Sequence, residues 1–147
     1  MKMLDESISR QVQEMFAGMK NPVEMVYFGS SAQNCEYCED TLTLVREVAA
    51  LSEKISLSEH DLDTEKDLAA SLNVDKAPMI VIATRDGEKL IDHGIRYAGI
   101  PAGSEFSTLI NVLILVSNGD SGLSAGTREF LRTLEKPVHL QVFVTPT

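Results

Sequence analysis

The stretch VEMVYFGSSAQNCEYCED, residues 23–40, passes from a β-branched and aromatic run, through a polar loop, into a segment that opens on two cysteines. The run over 23–29 closes on a glycine and predicts a strand. After the loop SSAQN, residues 30–34, the apolar positions Leu44, Val45, Val48 and Leu51 recur at helical spacing and predict a helix over about 36–53. Cys35 and Cys38 therefore belong to a strand-to-helix turn. Unpaired backbone N–H groups and the helix dipole stabilise a thiolate there, and the thiolate is the nucleophile of disulfide exchange. Cys35 is expected to attack, and Cys38, one turn further in, to resolve a mixed disulfide.

Working outward from this turn, Leu4, Ile8, Val12, Met15, Phe16 and Met19 form a helical stripe ahead of it, read as core, with Gly18 and Pro22 marking its end. Behind it, ISLSEHDL at 55–62 alternates like a strand, and Asp63 or Thr64 is expected to cap a short helix carrying Leu68 and Leu72. MIVIAT at 79–84 and EKLIDHGIRY at 88–97 flank Arg85-Asp86-Gly87, a hairpin signal. Pro101 is expected to open a helix through Phe106, Leu109, Ile110, Leu113 and Ile114 that stops near Gly119. A strand-helix-strand unit implies two parallel strands, and the later hairpin adds antiparallel ones, so the sheet must be mixed.

The chain of 147 residues has room for one ordinary domain with a short remainder. Its 44% apolar and 24% charged residues are globular values, and no run approaches the roughly 18 apolar residues of a membrane span. The acids and glutamines of MKMLDESISRQVQEM replace the apolar core of a secretory signal, so the expected compartment is the cytosol. A net charge of -9 without clustered Lys and Arg argues against nucleic acid or an anionic membrane as partner.

Two cysteines at this spacing point to redox chemistry or to metal. A zinc site needs about four ligands, and His60, His93 and His139 are scattered with no pairing at ligand spacing. No metal and no organic cofactor is therefore expected, although a redox-inert cysteine pair remains an open alternative. Lys76-Ala77-Pro78-Met79 sets a proline just before a strand. A cis bond there would bring the Ala77 backbone towards the cysteines, where it could pair with an extended peptide.

The element order resembles the thioredoxin or glutaredoxin fold: α/β, a four-stranded mixed sheet flanked by helices. With CEYC at 35–38, APMIVI at 77–82 and GIRYAGIPAGSEF at 94–106, residues 23–119 resemble the amino-terminal unit of the protein disulfide oxidoreductases of archaea and thermophilic bacteria. Those are glutaredoxin-like proteins with two thioredoxin folds in one chain. The resemblance implies an enzyme exchanging disulfides and dithiols with protein substrates, with Cys35 attacking, Cys38 resolving, and Pro78 as a cis-proline beside Ala77. It also implies a thioredoxin-reductase-like flavoprotein as electron partner. Two departures bear on the redox potential rather than the fold: Asn34, not tryptophan, precedes Cys35, and Glu36 replaces the proline or glycine often found inside the motif. Two other functions fit the sequence: a non-catalytic docking unit of a two-unit disulfide oxidoreductase, and an electron-relay domain of a peroxiredoxin reductase, which shares the chemistry and differs in partner.

The last stretch, KPVHLQVFVTPT at 136–147, reads as a strand running into a loop. EMFAGMKNPVEMVYF at 14–28 lies over EFLRTLEKPVHLQVF at 129–143 with the glutamates, the Pro-Val pairs and the final phenylalanines coincident and no gap. The expected organisation is a redox unit over 1–119, followed over 120–147 by a linker, a helix and the first strand of an incomplete second unit. A strand at 138–145 without neighbours could add to the edge of the first unit's own sheet or pair with its copy in a second molecule, and the latter, which buries both at once, is expected.

Overall fold

The computed structural model describes residues 2–32 and 34–145. The last two positions of the expected carboxy-terminal strand-to-loop segment lie outside the described residues. The sheet is built on β1, Val23–Gly29, whose residues are buried on both faces as far as Phe28. That double burial explains why its sequence is apolar almost throughout instead of alternating. Val23, Met25 and Tyr27 face one side of the sheet, while Val26 and Phe28 face the other.

Strand β2, Ile55–Asp61, runs parallel to β1, with Val23 opposite Ile55 and Gly29 opposite Asp61. Helix α2, Cys38–Ala49, makes the crossover between them. Strand β3, Met79–Asp86, is antiparallel to β1 on its other edge, and β4, Lys89–Ala98, completes the order β2-β1-β3-β4. The mixed four-stranded sheet expected from the sequence is thus present. Its hairpin turn falls one position later than expected, because Asp86 pairs with Lys89 and leaves Gly87 and Glu88 as the loop. A two-residue hairpin loop needs positive φ, which Gly87 supplies at +60°.

Helix α1, Glu6–Phe16, is capped by Asp5, whose carboxylate accepts the Ile8 N–H at 2.8 Å. It packs on the same face of the sheet as α2 and α4, Ser104–Asn118, through Val12, Phe16, Leu44, Val48, Leu109 and Leu113. Of the stripe read as core, Leu4, Val12, Phe16 and Met19 are buried but Ile8 and Met15 are exposed. The helix presents one narrow ridge to the sheet, and those two side chains fall off it. Ser117, fully buried, ties the end of α4 to the α1–β1 turn by accepting the Lys20 and Asn21 amides and donating to the Asn21 carbonyl. Pro101 stands ahead of α4 and does not open it; Gly103 occupies the N-cap with φ +59°.

Helix α3, Lys66–Ser71, covers part of the opposite face through Ala69 and Leu72. Neither Asp63 nor Thr64 caps it. Glu65 occupies the cap position without a side-chain cap bond, and the Asp63 carboxylate is engaged elsewhere. Beyond α4, helix α5, Ala125–Arg132, forms where the repeat puts one, with Ser124 as N-cap, and has no buried residue. The strand expected over 138–145 is not formed: among the described residues this segment has no ladder partner, and Leu140, Val142 and Phe143 are more than four-fifths exposed. An extended segment becomes a strand only when a neighbour takes its backbone groups.

Candidate functional site

Strand β1 ends at Gly29 at one end of the sheet, and the following loop carries Cys35 to the foot of α2. The Cys38 N–H donates to the Cys35 carbonyl at 3.3 Å, closing a turn over Glu36 and Tyr37, and Tyr37 becomes the N-cap of α2. Helix α2 therefore begins at Cys38, two residues later than expected, because that turn takes up the residues between the cysteines. Cys35 and Cys38 are joined as a disulfide with Cα atoms 5.4 Å apart, and both are half-buried. The bridge is held at the surface, with Glu36, Tyr37, Glu39 and Asp40 exposed around it.

The loop in front of Cys35 is tied down by the loop that follows β2. Asp63 Oδ2 accepts the Ser30 hydroxyl at 2.6 Å and the Ala32 N–H at 3.0 Å, while the Gly29 carbonyl accepts the Leu62 N–H at 2.9 Å. The Ser30 hydroxyl holds the Asp63 carboxyl below its ordinary range, and a Ser31 hydroxyl does the same for Asp61. Asp61 in turn accepts the Asp63 and Thr64 amides at 2.8 and 3.1 Å. Behind them Glu65 accepts the Asp61 N–H and bonds His60 Nδ1, each at 2.8 Å, and His60 bonding lowers its carboxyl. His60 packs on Phe28 with ring centroids 5.3 Å apart. Two adjacent strands thus brace the loop that presents the cysteines.

Under Cys38 lies Tyr27, almost fully buried in β1, whose hydroxyl donates to the Cys38 carbonyl at 2.8 Å. Gly29 makes room for that hydroxyl, since a Cβ there would stand 2.9 Å from Tyr27 Oη. Neither residue was legible as a site residue. The run VEMVYFG marks a buried strand, but nothing local says that its tyrosine reaches a cysteine eleven residues on.

The Ala77–Pro78 bond is cis, and Met79 directly after it pairs with Phe28. Ala77 and Pro78 therefore stand at the same end of the sheet as the cysteine loop, with the Pro78 carbonyl accepting the Gly99 N–H at 2.9 Å. A hollow of about 470 Å³ lined by Asn21, Glu24, Thr84, Arg85 and His93 lies at the other end, away from the sulfurs. Among the described residues no group of three or more His, Cys, Asp or Glu is placed to hold a metal, and no helix is long and apolar enough to cross a membrane.

A crystal structure of a protein disulfide oxidoreductase from Aeropyrum pernix superposes with a TM-score of 0.84 at 31% identity, covering 99% of this chain and 62% of that one. This is a thioredoxin-fold redox unit similar to the protein disulfide oxidoreductases. The alkyl hydroperoxide reductase AhpF of Staphylococcus epidermidis is 30% identical over 146 residues, which is 99% of this chain and 25% of that protein. A structure of AhpF of Enterococcus faecalis superposes with a TM-score of 0.78 at 25% identity, over 90% of this chain and 62% of that chain. This chain spans about a quarter of the length of the curated alkyl hydroperoxide reductase subunits it matches. No family model matches it.

Proposed function

We propose that this thiol-disulfide oxidoreductase unit acts on protein substrates, with Cys35 attacking and Cys38 resolving. The observation that supports the reading is the closed Cys35–Cys38 bridge held at the surface by a braced loop. In the reducing direction the Cys35 thiolate attacks one sulfur of a substrate disulfide; a mixed disulfide forms and the first substrate thiolate leaves. The Cys38 thiolate then attacks Cys35 Sγ, the mixed bond breaks, and the second substrate thiolate leaves and takes up a proton. Two electrons pass to the substrate and the Cys35–Cys38 bond closes. The reverse sequence oxidises a substrate dithiol.

Ala77 and Pro78 would receive the substrate as an extended peptide beside the sulfurs, through backbone hydrogen bonding at Ala77. Return to the dithiol calls for a two-electron donor, for which a thioredoxin-reductase-like flavoprotein fits, and the thiol chemistry suits a reducing compartment such as the cytosol. Insulin reduction with dithiothreitol as donor tests the reading. Turnover by the wild-type chain that is lost in Cys35→Ser is expected, with brief alkylation of the reduced protein labelling Cys35 first. Equal turnover in the two chains sinks the assignment, no turnover in either favours a docking unit, and a first label on Cys38 reverses the two roles.

A relay reading is favoured by the similarity over 99% of this chain to an alkyl hydroperoxide reductase. There the Cys35–Cys38 disulfide would take two electrons from a reduced flavoprotein dithiol centre, and the resulting dithiol would pass them to the disulfide of a peroxide-reducing thiol protein. A chain that couples such a pair rapidly but reduces insulin slowly is a relay. Residues 138–145 are further proposed to pair with the same segment of a second copy.

A further inference from the structure

Thr41 lies in α2 three residues after Cys38 and is completely buried. Its Oγ1 has no hydrogen-bond partner among the described residues. A threonine inside a helix ordinarily returns its hydroxyl to the carbonyl four residues back. Here the Tyr37 carbonyl takes the Thr41 amide at 2.9 Å and not the hydroxyl. Leaving a buried hydroxyl unsatisfied is costly, and such a group calls for an explanation.

Cys38 supplies one. Residues three apart share a helix face, and side chains lean towards the helix amino terminus, so the Thr41 side chain lies over the turn that Cys38 begins. While the disulfide is closed, Cys38 Sγ is an uncharged, weak acceptor committed to Cys35. Reduction frees it to turn about its own χ1: as a thiol its sulfur is no longer tied to Cys35 and can accept the hydroxyl, and as a thiolate it is a charge-assisted, far stronger acceptor. The Cys38 backbone is held during this change by the hydrogen bond from Tyr27 to its carbonyl. We infer that the Thr41 hydroxyl is a redox-dependent hydrogen-bond donor to Cys38, unsatisfied in the disulfide form and engaged with the sulfur in the dithiol form. This rests on reading Cys38 as a redox-active thiol.

Two effects then act in one direction. The orphaned hydroxyl penalises the disulfide form, and the new hydrogen bond favours the dithiol form, so Thr41 makes the pair more oxidising. The equilibrium with glutathione reads this directly. The Cys35–Cys38 bond breaks and a bond between two glutathione sulfurs forms; these supply two electrons, and their two protons go to Cys35 and Cys38.

Thr41→Val keeps the shape and removes the hydroxyl. It is expected to shift this equilibrium about tenfold towards the protein disulfide, equivalent to about 30 mV more reducing. Thr41→Ser, which restores a hydroxyl, should return it to the wild-type ratio. Thr41→Val should also raise the unfolding midpoint of the oxidised chain more than that of the reduced chain, which a merely structural role would not do. An unchanged ratio in Thr41→Val, or a shift towards the dithiol, overturns the inference.

Should the valine variant fail to fold, the wild-type chain still decides. The Thr41 hydroxyl proton in NMR spectra is expected to move downfield and exchange more slowly on reduction, and no change on reduction overturns the inference. The glutathione equilibrium needs no protein substrate, so a Thr41 effect in a chain inactive on insulin retains this inference and removes only the proposed substrate class. Insulin turnover without a Thr41 effect does the reverse.

Discussion

Tyr27 shows how much of the site rests on a single hydroxyl. Burial pushes its phenol above the ordinary tyrosine range, so it stays protonated and a donor to the Cys38 carbonyl at neutral pH. Losing one such bond costs about 1 kcal/mol, and more if the carbonyl is left dry. Tyr27→Phe should therefore lower stability by about 1–2 kcal/mol in urea unfolding. Gly29→Ala drives a Cβ to 2.9 Å from the same oxygen, so it should cost a comparable amount. Because both act on one hydrogen bond, Gly29→Ala should cost clearly less in the Tyr27→Phe background than in wild type. Simple additivity in the double variant would show that the glycine serves something other than the tyrosine hydroxyl.

At the scale of elements, β1 is fastened to β3 by more than its ladder. Glu24, 5% exposed, receives Arg85 on both carboxylate oxygens at 2.5 and 3.0 Å. Burial alone would push the Glu24 carboxyl up, but the Arg85 hydrogen bonds and charge outweigh it and hold the group below its ordinary value of 4.5. A carboxyl lowered in the folded state stabilises above its unfolded pKa, and that contribution is lost as pH falls through the folded value. Wild-type stability should accordingly fall below about pH 4.5. Arg85→Ala removes the largest contribution opposing burial and leaves only the Ser58 hydroxyl and the His60 charge against it, so the Glu24 carboxyl should move upward. The expected loss at pH 7 is about 2–3 kcal/mol, less than the roughly 3–5 for a fully buried pair because the Arg85 side chain is half exposed. Denaturant titrations of both chains at pH 7 and pH 4 should show this difference shrinking on acidification. A pH-independent difference would assign Arg85 a packing role instead.

For the whole molecule, the buried core ends with Ser117, and the segment beyond Gly119 carries an unmatched apolar surface. Phe130 on α5 is 62% exposed, and Val138, Leu140, Val142 and Phe143 exceed that. Apolar side chains gathered on an extended segment invite association, because joining two copies removes both surfaces from water at once. Light scattering should find the 147-residue chain as a dimer or larger and a chain stopping at Gly119, which retains every buried residue among those described, as a monomer. Two monomers at equal concentration would rule the segment out as the contact.

The elements with strong local patterns were legible from residues alone. β1 came out residue for residue, α2 and the hairpin within a few positions, and the two cysteines at a strand-to-helix turn marked the chemistry. Such signals are local, because side-chain periodicity and turn preference depend on near neighbours in the chain. Tertiary structure decided the rest. Asp63 reads as a helix cap until Ser30 and Ala32, more than thirty residues earlier, are seen to claim its carboxylate. The stripe Leu4 to Met19 is uniform in sequence, and only packing against the sheet separates buried Phe16 from exposed Met15. Residues 138–145 have the composition of a strand, but strand formation belongs to the pair and not to the segment. Tyr27 and Gly29 come together under the Cys38 carbonyl because β1 and α2 pack there. Which hydroxyl reaches which carbonyl is set by contacts between elements, and an isolated stretch of sequence does not encode them.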